Sequence, residues 1–188
     1  MGAAFERAVL DLRDMGFRLS EARLPDMPAS EIATTILFAE AISAFEPFFR
    51  DGSVRQLTDP YAPYQREVTA ALTGADYVKA SRMRTALQAR MADFFESYDF
   101  LVTPNFLSVA PPVREDFMKT LPYPDPVGAV GNACGLPAIA LPAGFGKERM
   151  PAGFQIVGAP FSEELLLNLG EAYQARTRHH LARPPLAA

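Results

Sequence analysis

The chain has 188 residues, 49% of them hydrophobic and 21% charged, which suits a folded globular domain and excludes a disordered, fibrous or repetitive chain. The formal net charge of −4 argues against a basic patch for nucleic acid. A single cysteine excludes an internal disulfide framework. A lone cysteine also fits a reducing compartment, so we expect a cytoplasmic protein. Since no apolar run is long enough to cross a bilayer, we expect it to be soluble, with no membrane partner.

Helical spacing of apolar residues marks the first part of the chain. A first helix is predicted to stop at Gly16, and a short strand, Phe17 to Leu19, to follow it. Ser30 is the predicted N-cap of a second helix, which ends at Pro47 or at the turn formed by Asp51 and Gly52. Residues 52–66 then form a proline-rich polar connection. The apolar positions of the first helix are Phe5, Val9, Leu12 and Met15.

The clearest helix is predicted to begin at Asp76, with an apolar stripe on one face. After it, Asp99 to Thr103 is typical of a short buried strand, closed by Pro104. A proline-rich loop is expected from Asn105 to about Pro126. The stripe of the helix consists of Ala80, Met83, Leu87, Met91 and Phe94.

Two more strands and a capped helix are predicted toward the end of the chain. The strands are Ala138 to Leu141 and Phe154 to Val157, separated by a turn rich in Gly and Pro. Ser162 is expected to cap a helix with Glu163 and Glu164 in its first turn. Its predicted buried stripe is Leu165, Leu166, Leu169, Ala172 and Tyr173. Alternation of strands and helices indicates an α/β layer architecture, in which the sheet is small for the amount of helix.

The pattern N-x-x-G-x-P-A-x-x-x-P-x-G from Asn132 to Gly144, followed by P-x-G-x-Q ending at Gln155, resembles the closing region of amidase-signature enzymes. Tyr98 to Pro104 is similar to the D-x-L-x-T-P strand of that family, and Asn105 stands where the family commonly has Thr. The resemblance implies that residues 1–188 are a single domain. It would be the C-terminal portion of the amidase-signature fold, a mixed β-sheet covered by helices.

The catalytic residues of that family have no counterpart in this chain. The family uses a serine, a second serine in a cis peptide bond and a lysine, carried partly by a Gly/Ser-rich loop that supplies oxyanion donors. Here the serines lack such surroundings, and the lysines lie in none of the family's contexts. The resemblance therefore implies amide hydrolysis by residues outside the chain, without cofactor or metal, and we expect the chain alone to be inactive. The residues considered are Ser20, Ser30, Ser43, Ser53, Ser81, Ser97, Ser108, Ser162, Lys79, Lys119 and Lys147.

Four residues are candidates for substrate binding. In glutamine-using members of the family, which are amidotransferase subunits, an aspartate and an arginine hold the amino and carboxylate groups of the substrate, and Asp125 and Arg66 fall close to those positions. An arginine fork suits a carboxylate, whereas Asp125 could instead initiate a turn before Pro126. The amides of Asn132 and Gln155 could pin loops beside a pocket or serve only as structural hydrogen-bonding groups.

Other polar residues favour structural explanations. Cys134 is interpreted as a small buried residue rather than a nucleophile, because no activating base is evident. His179 and His180 are interpreted as solvated tail residues rather than metal ligands. The expected partners are a small-molecule amide and either the missing catalytic half or a second copy. The alternative function is a non-catalytic module derived from the amidase fold that binds a small molecule or a protein partner.

Overall fold

The computed structural model describes residues 2–59, 71–116 and 125–183. Parts of the predicted connection and of the proline-rich loop therefore lie outside the described residues. The helices are α1 Gly2–Asp14, α2 Ala29–Ala44, α3 Glu46–Asp51, α4 Gly74–Ser97, α5 Gly128–Cys134 and α6 Glu163–Thr177. The strands are β1 Phe100–Pro104, β2 Ala138–Phe145 and β3 Pro151–Gly158. Short 3₁₀ turns cover Ser53–Gln56, Lys147–Arg149 and His179–Leu181.

The three strands form one antiparallel sheet in the order β1-β3-β2. Its central strand pairs Gln155 with Thr103 on one side and with Ala140 on the other. Cross-strand partners project on the same face of a sheet. All three strands are antiparallel, whereas a mixed sheet was expected. The expected α/β class with a helix-covered sheet is confirmed.

One face of the sheet is apolar and covered by α1 and α6. Phe154 and Ile156 on β3 are completely buried, and Leu12 of α1 and Tyr173 of α6 pack in the same cluster. The rings of Phe154 and Tyr173 meet edge to face with centroids 5.0 Å apart. Burial of a large apolar side chain contributes about 1.5–3 kcal/mol, so this cluster anchors both helices to the sheet.

A second apolar cluster joins α2, α4 and α5 away from the sheet. Ile32 of α2, Leu87 and Met91 of α4, and Ala133 and Cys134 of α5 are all buried in it. The predicted stripe of α4 is confirmed at Ala80, Leu87 and Met91, which are its buried residues. The second cluster places α5, which carries Asn132, against the longest helix of the described chain.

Several local predictions were wrong. Phe17 to Leu19 forms no strand among the described residues, because no neighbouring strand supplies its hydrogen bonds. Ser30 lies inside α2, which begins at Ala29 after Pro28, since proline suits a helix start. Thr73, not foreseen as a cap, forms a capping box with Asp76 at the start of α4.

The end of the chain also differs in detail from prediction. Ser162 is the N-cap of α6, but its hydroxyl donates to the carbonyl of Ala159 rather than capping the helix. Leu165 is 52% exposed and Ala172 is also exposed, because the face that packs on the sheet consists of Leu166, Leu169, Gly170 and Tyr173.

Helix α5 was not predicted at all. Its sequence, GAVGNAC, contains two glycines and no capping side chain. The intrinsic helix propensity of such a segment is low. Packing of Val130, Ala133 and Cys134 into the second cluster supplies the stabilisation that the local sequence lacks.

Over the described ranges, no helix is long and apolar enough to cross a membrane.

Candidate functional site

The face of the sheet that α1 and α6 leave uncovered, called the open face below, carries a group of polar side chains. Gln155 lies at the centre of β3. It is 8% exposed, and it is the only polar or charged residue that is buried among the described residues. Thr103 stands directly across from it on β1. Asn105 follows β1, and its Nδ2 atom lies 2.8 Å from the position that a Cβ on Gly153 would occupy. These three residues and Asp125 are called the polar face below.

Asp125 is fixed by two hydrogen bonds to one of its oxygens. The Nε2 atom of Gln155 donates to Oδ1 over 2.6 Å, and the main-chain N–H of Val127 donates to the same atom over 2.9 Å. The first bond links residues 30 positions apart, and the second closes a turn just before α5. Asp125 therefore initiates a turn, which was one of its two interpretations, and in addition contacts the central strand.

The second oxygen of Asp125, Oδ2, differs from Oδ1 in its contacts. No described residue donates a hydrogen bond to Oδ2, although the aspartate is only partly exposed. A Cβ on Gly128 would lie 3.1 Å from the Cβ of Asp125 and 3.3 Å from Oδ2, so glycine at this position leaves room beside the carboxylate. A part-buried carboxylate with one free oxygen can accept hydrogen bonds from a cationic or N–H-bearing ligand.

The structure brings together only two of the four candidate substrate-binding residues. Asp125 and Gln155 are hydrogen-bonded to each other. Asn132 is exposed on α5 and makes no hydrogen bond with either of them. Arg66 lies outside the described residues.

Two members of the polar face were not singled out by sequence reasoning. The hydroxyl of Thr103 is buried and has no hydrogen-bond partner within the described residues. The main-chain N–H of Asn105 donates to the carbonyl of Gly153, which places the Asn105 side chain beside the open face. Alternation of side chains along β1 could have indicated that Thr103 and Asn105 share one face of the sheet. It does not tell which residues of β3 they lie beside, because that depends on the strand register.

Cys134, His179 and His180 lie apart from the polar face. Cys134 is buried, and burial raises the pKa of its thiol, opposed by the nearby charge of Arg84. His179 is half-buried, with its ring packed against Gly144, so the expectation of a solvated residue is wrong for His179. His180 is exposed, as expected.

The polar face is partly buried: Gln155 is 8% exposed, and Asp125 is half-buried. A groove of about 530 Å³ lies on the opposite face of the sheet, bordered by Leu12, Phe17, Phe100 and Ile156. Ala140, the other neighbour of Gln155, is exposed.

Comparison with known proteins identifies the family. A family model described as Amidase matches residues 1–167. The chain is 30% identical to a glutamyl-tRNA(Gln) amidotransferase subunit of Symbiobacterium thermophilum, over 98% of this chain and 43% of that protein. It is 28% identical to a fatty acid amide hydrolase of Medicago truncatula, over 90% of this chain and 29% of that protein.

A solved structure supports the same assignment. A crystal structure of an amidase superposes with a TM-score of 0.78 at 26% identity, covering 93% of this chain and 41% of the other. The chain spans less than half the length of each of these relatives. The match with the family model over most of the sequence shows that the chain belongs to the amidase family.

Proposed function

We propose that this chain forms one wall of the substrate pocket of an amidase, and that a serine, cis-serine and lysine set outside it hydrolyses a carboxylic amide. The observation that carries the proposal is the Asp125 carboxylate on the open face of the sheet, held at Oδ1 and without a donor to Oδ2 among the described residues. In a member of the amidase family, such a group on a pocket wall serves to orient the substrate.

The substrate class follows from the charge of that wall. The free oxygen of Asp125 suits an ammonium group on the substrate, because a charge-assisted hydrogen bond is stronger than a neutral one. Arg66 is proposed to hold the substrate carboxylate, as the family resemblance implies. Asn132, exposed on α5, is proposed to contact the substrate or the loop that covers it.

The proposed partner is the segment of an amidase that carries the catalytic residues. The outer edge of β1 is unpaired among the described residues, and Phe106 and Leu107 just beyond it are exposed. β2 contains Pro142, which has no main-chain N–H to offer to a further strand. We therefore propose docking at the β1 edge, with self-association there when the catalytic segment is missing.

The test compares this chain with the complete amidase, meaning the chain joined to or mixed with the segment that carries the catalytic serines and lysine. We expect ammonia release only from the complete amidase. Sequencing of the coding region upstream of Met1 locates that segment when it is encoded in the same frame. Substantial amide turnover by the purified 188-residue chain would refute the proposal.

Two substitutions at one position separate binding from folding. Asp125→Asn keeps an oxygen that can accept from Gln155 and Val127 but replaces the free anionic oxygen by a neutral NH₂ group. Asp125→Ala removes both. If Asp125 binds an ammonium group, D125N raises KM for an amino-bearing amide while the melting temperature stays near that of the wild type.

The alternative, a non-catalytic binding module, predicts a stable monomer that needs no second segment. Size-exclusion chromatography of the chain distinguishes the two. A monodisperse monomer favours the module, because an open β1 edge on a fragment promotes association.

A further inference from the structure

We propose that Gln155 is a positioning residue that acts on the substrate through Asp125 rather than by direct contact. The inference rests on the proposed role of Asp125 in substrate binding, and it assigns the orientation of that carboxylate to the central strand. Its basis is the 2.6 Å hydrogen bond between Gln155 Nε2 and Asp125 Oδ1.

The identity of the contacting atoms follows from their chemistry. An ionised carboxylate only accepts hydrogen bonds, so the Gln155 atom that faces it must be the amide nitrogen. That nitrogen carries two N–H groups, one of which is committed to Asp125. The remaining polar atoms of Gln155 lie in a side chain that is 8% exposed, which leaves little of the amide for a ligand.

Two donors are needed because a carboxylate rotates easily. The terminal torsion of aspartate is broad, so the Val127 N–H alone would leave the plane of the carboxylate free to turn. The Gln155 donor comes from a different element, β3, and approaches the same oxygen. Together the two bonds define which oxygen faces the open side.

Gln155 is well placed for this task. It lies on the central strand of the sheet, between Thr103 and Ala140, whose side chains are short. Short neighbours let the longer glutamine extend away from the sheet to the Asp125 turn. The sheet in turn is anchored by the apolar cluster on its other face, so the donor is held by a rigid element.

The experiment measures steady-state kinetics of the complete amidase with two probes, L-glutamine and glutaramate, which differ only in the amino group. Gln155→Leu removes the donor, Gln155→Asn shortens it, and Asp125→Asn removes the anionic oxygen. Gln174→Leu is the matched control, because it makes the same chemical change on α6, which covers the opposite face of the sheet.

We expect Q155L to raise KM for L-glutamine by about tenfold, the effect of losing one hydrogen bond to a charged group, with little change in kcat. Kinetics with glutaramate should hardly change. Q155N should fall between wild type and Q155L, because its shorter side chain reaches Asp125 poorly. Q174L should behave as wild type with both probes.

The outcomes separate the two proposals. If D125N discriminates between the probes but Q155L does not, or if Q155L weakens both probes equally, Gln155 is not a positioning residue. If D125N affects L-glutamine and glutaramate equally, or if neither probe is hydrolysed, the proposed role of Asp125 is wrong, and the role of Gln155 that rests on it is wrong as well. In the chain alone, the side-chain ¹H–¹⁵N signal of Gln155 should shift more in D125A, which removes the acceptor, than in D125N, which keeps a neutral one. An unchanged signal in D125A would show that the bond is absent.

Discussion

The Nε atom of Arg84 donates a hydrogen bond of 2.8 Å to the main-chain carbonyl of Ala133, across 49 residues of sequence. This bond ties α4 to the last turn of α5, where carbonyl groups lack partners within the helix. A positive charge at a helix C-terminus is also favourable. Arg84 thereby supports the short helix that follows the Asp125 turn.

Replacement of Arg84 by methionine should lower the free energy of unfolding by about 1 kcal/mol, the usual net contribution of one such hydrogen bond. Arg82→Met is the matched control, because Arg82 is exposed on the same helix and makes no hydrogen bond with the described residues. Urea denaturation followed by circular dichroism measures both variants. Equal destabilisation by R84M and R82M would contradict a specific role for Arg84.

Two glycine-to-alanine substitutions, one inside α5 and one at its C-terminal end, should change the free energy of unfolding in opposite directions. Gly135 ends α5 in the left-handed region with φ of 67°, so Gly135→Ala should cost about 1 kcal/mol. Gly131 lies inside the same helix, and a Cβ there would meet nothing within 4 Å. Gly131→Ala should therefore stabilise the chain by up to about 1 kcal/mol. Thermal unfolding gives both values, and stabilisation by G135A would be inconsistent with the backbone geometry.

Cys134 should react slowly with thiol reagents in the folded protein. Burial raises the pKa of its thiol, and only the charge of Arg84 acts in the other direction. Because the thiolate is the reactive form, labelling with iodoacetamide at pH 8 should be slow in buffer and rapid in denaturant. Fast labelling of the native chain would reopen the interpretation of Cys134 as a nucleophile. Cys134→Ala should leave kcat of the complete amidase unchanged.

Tyr173 should make the chain sensitive to alkaline pH. Burial, followed by the charge of Asp11, raises the pKa of its hydroxyl to about 12. Between pH 10 and 12 the unfolded tyrosine ionises while the folded one stays protonated, so stability is lost as pH rises. The loss is at most about 1.4 kcal/mol per pH unit.

Tyr173→Phe provides the control for that pH dependence. The hydroxyl is buried and no described residue accepts or donates a hydrogen bond to it, so the substitution should cost little at pH 7. Denaturation midpoints of the two proteins should converge at neutral pH and separate above pH 10. Parallel curves across that range would show that Tyr173 titrates normally.

Much of the fold could be predicted from residue patterns alone. The stripe of α4 and the apolar runs of the three strands are local signals, because helix and strand periods are properties of neighbouring residues. Helix α5 could not be predicted in this way, since its two glycines disfavour a helix and its stability comes from α2 and α4. The predicted strand at Phe17 to Leu19 is the opposite case: its local pattern suits a strand, but no strand forms because no partner strand lies beside it.

The candidate site was only partly accessible from the sequence. Asp125 was selected by the family resemblance and Gln155 by the chemistry of its amide, but nothing in the sequence indicated that they bind each other across 30 residues. Thr103 was predicted as part of a buried strand, and its place beside Gln155 depends on the antiparallel register of β1 and β3.

The amino-acid sequence by itself determined the family and the helix and strand periods, because these are matters of residue identity and spacing. The tertiary structure alone decided which polar groups share the open face and which oxygen of Asp125 the Gln155 and Val127 donors hold. Strand register and hydrogen bonds between distant residues follow from the packing of the whole chain, and no local pattern encodes them.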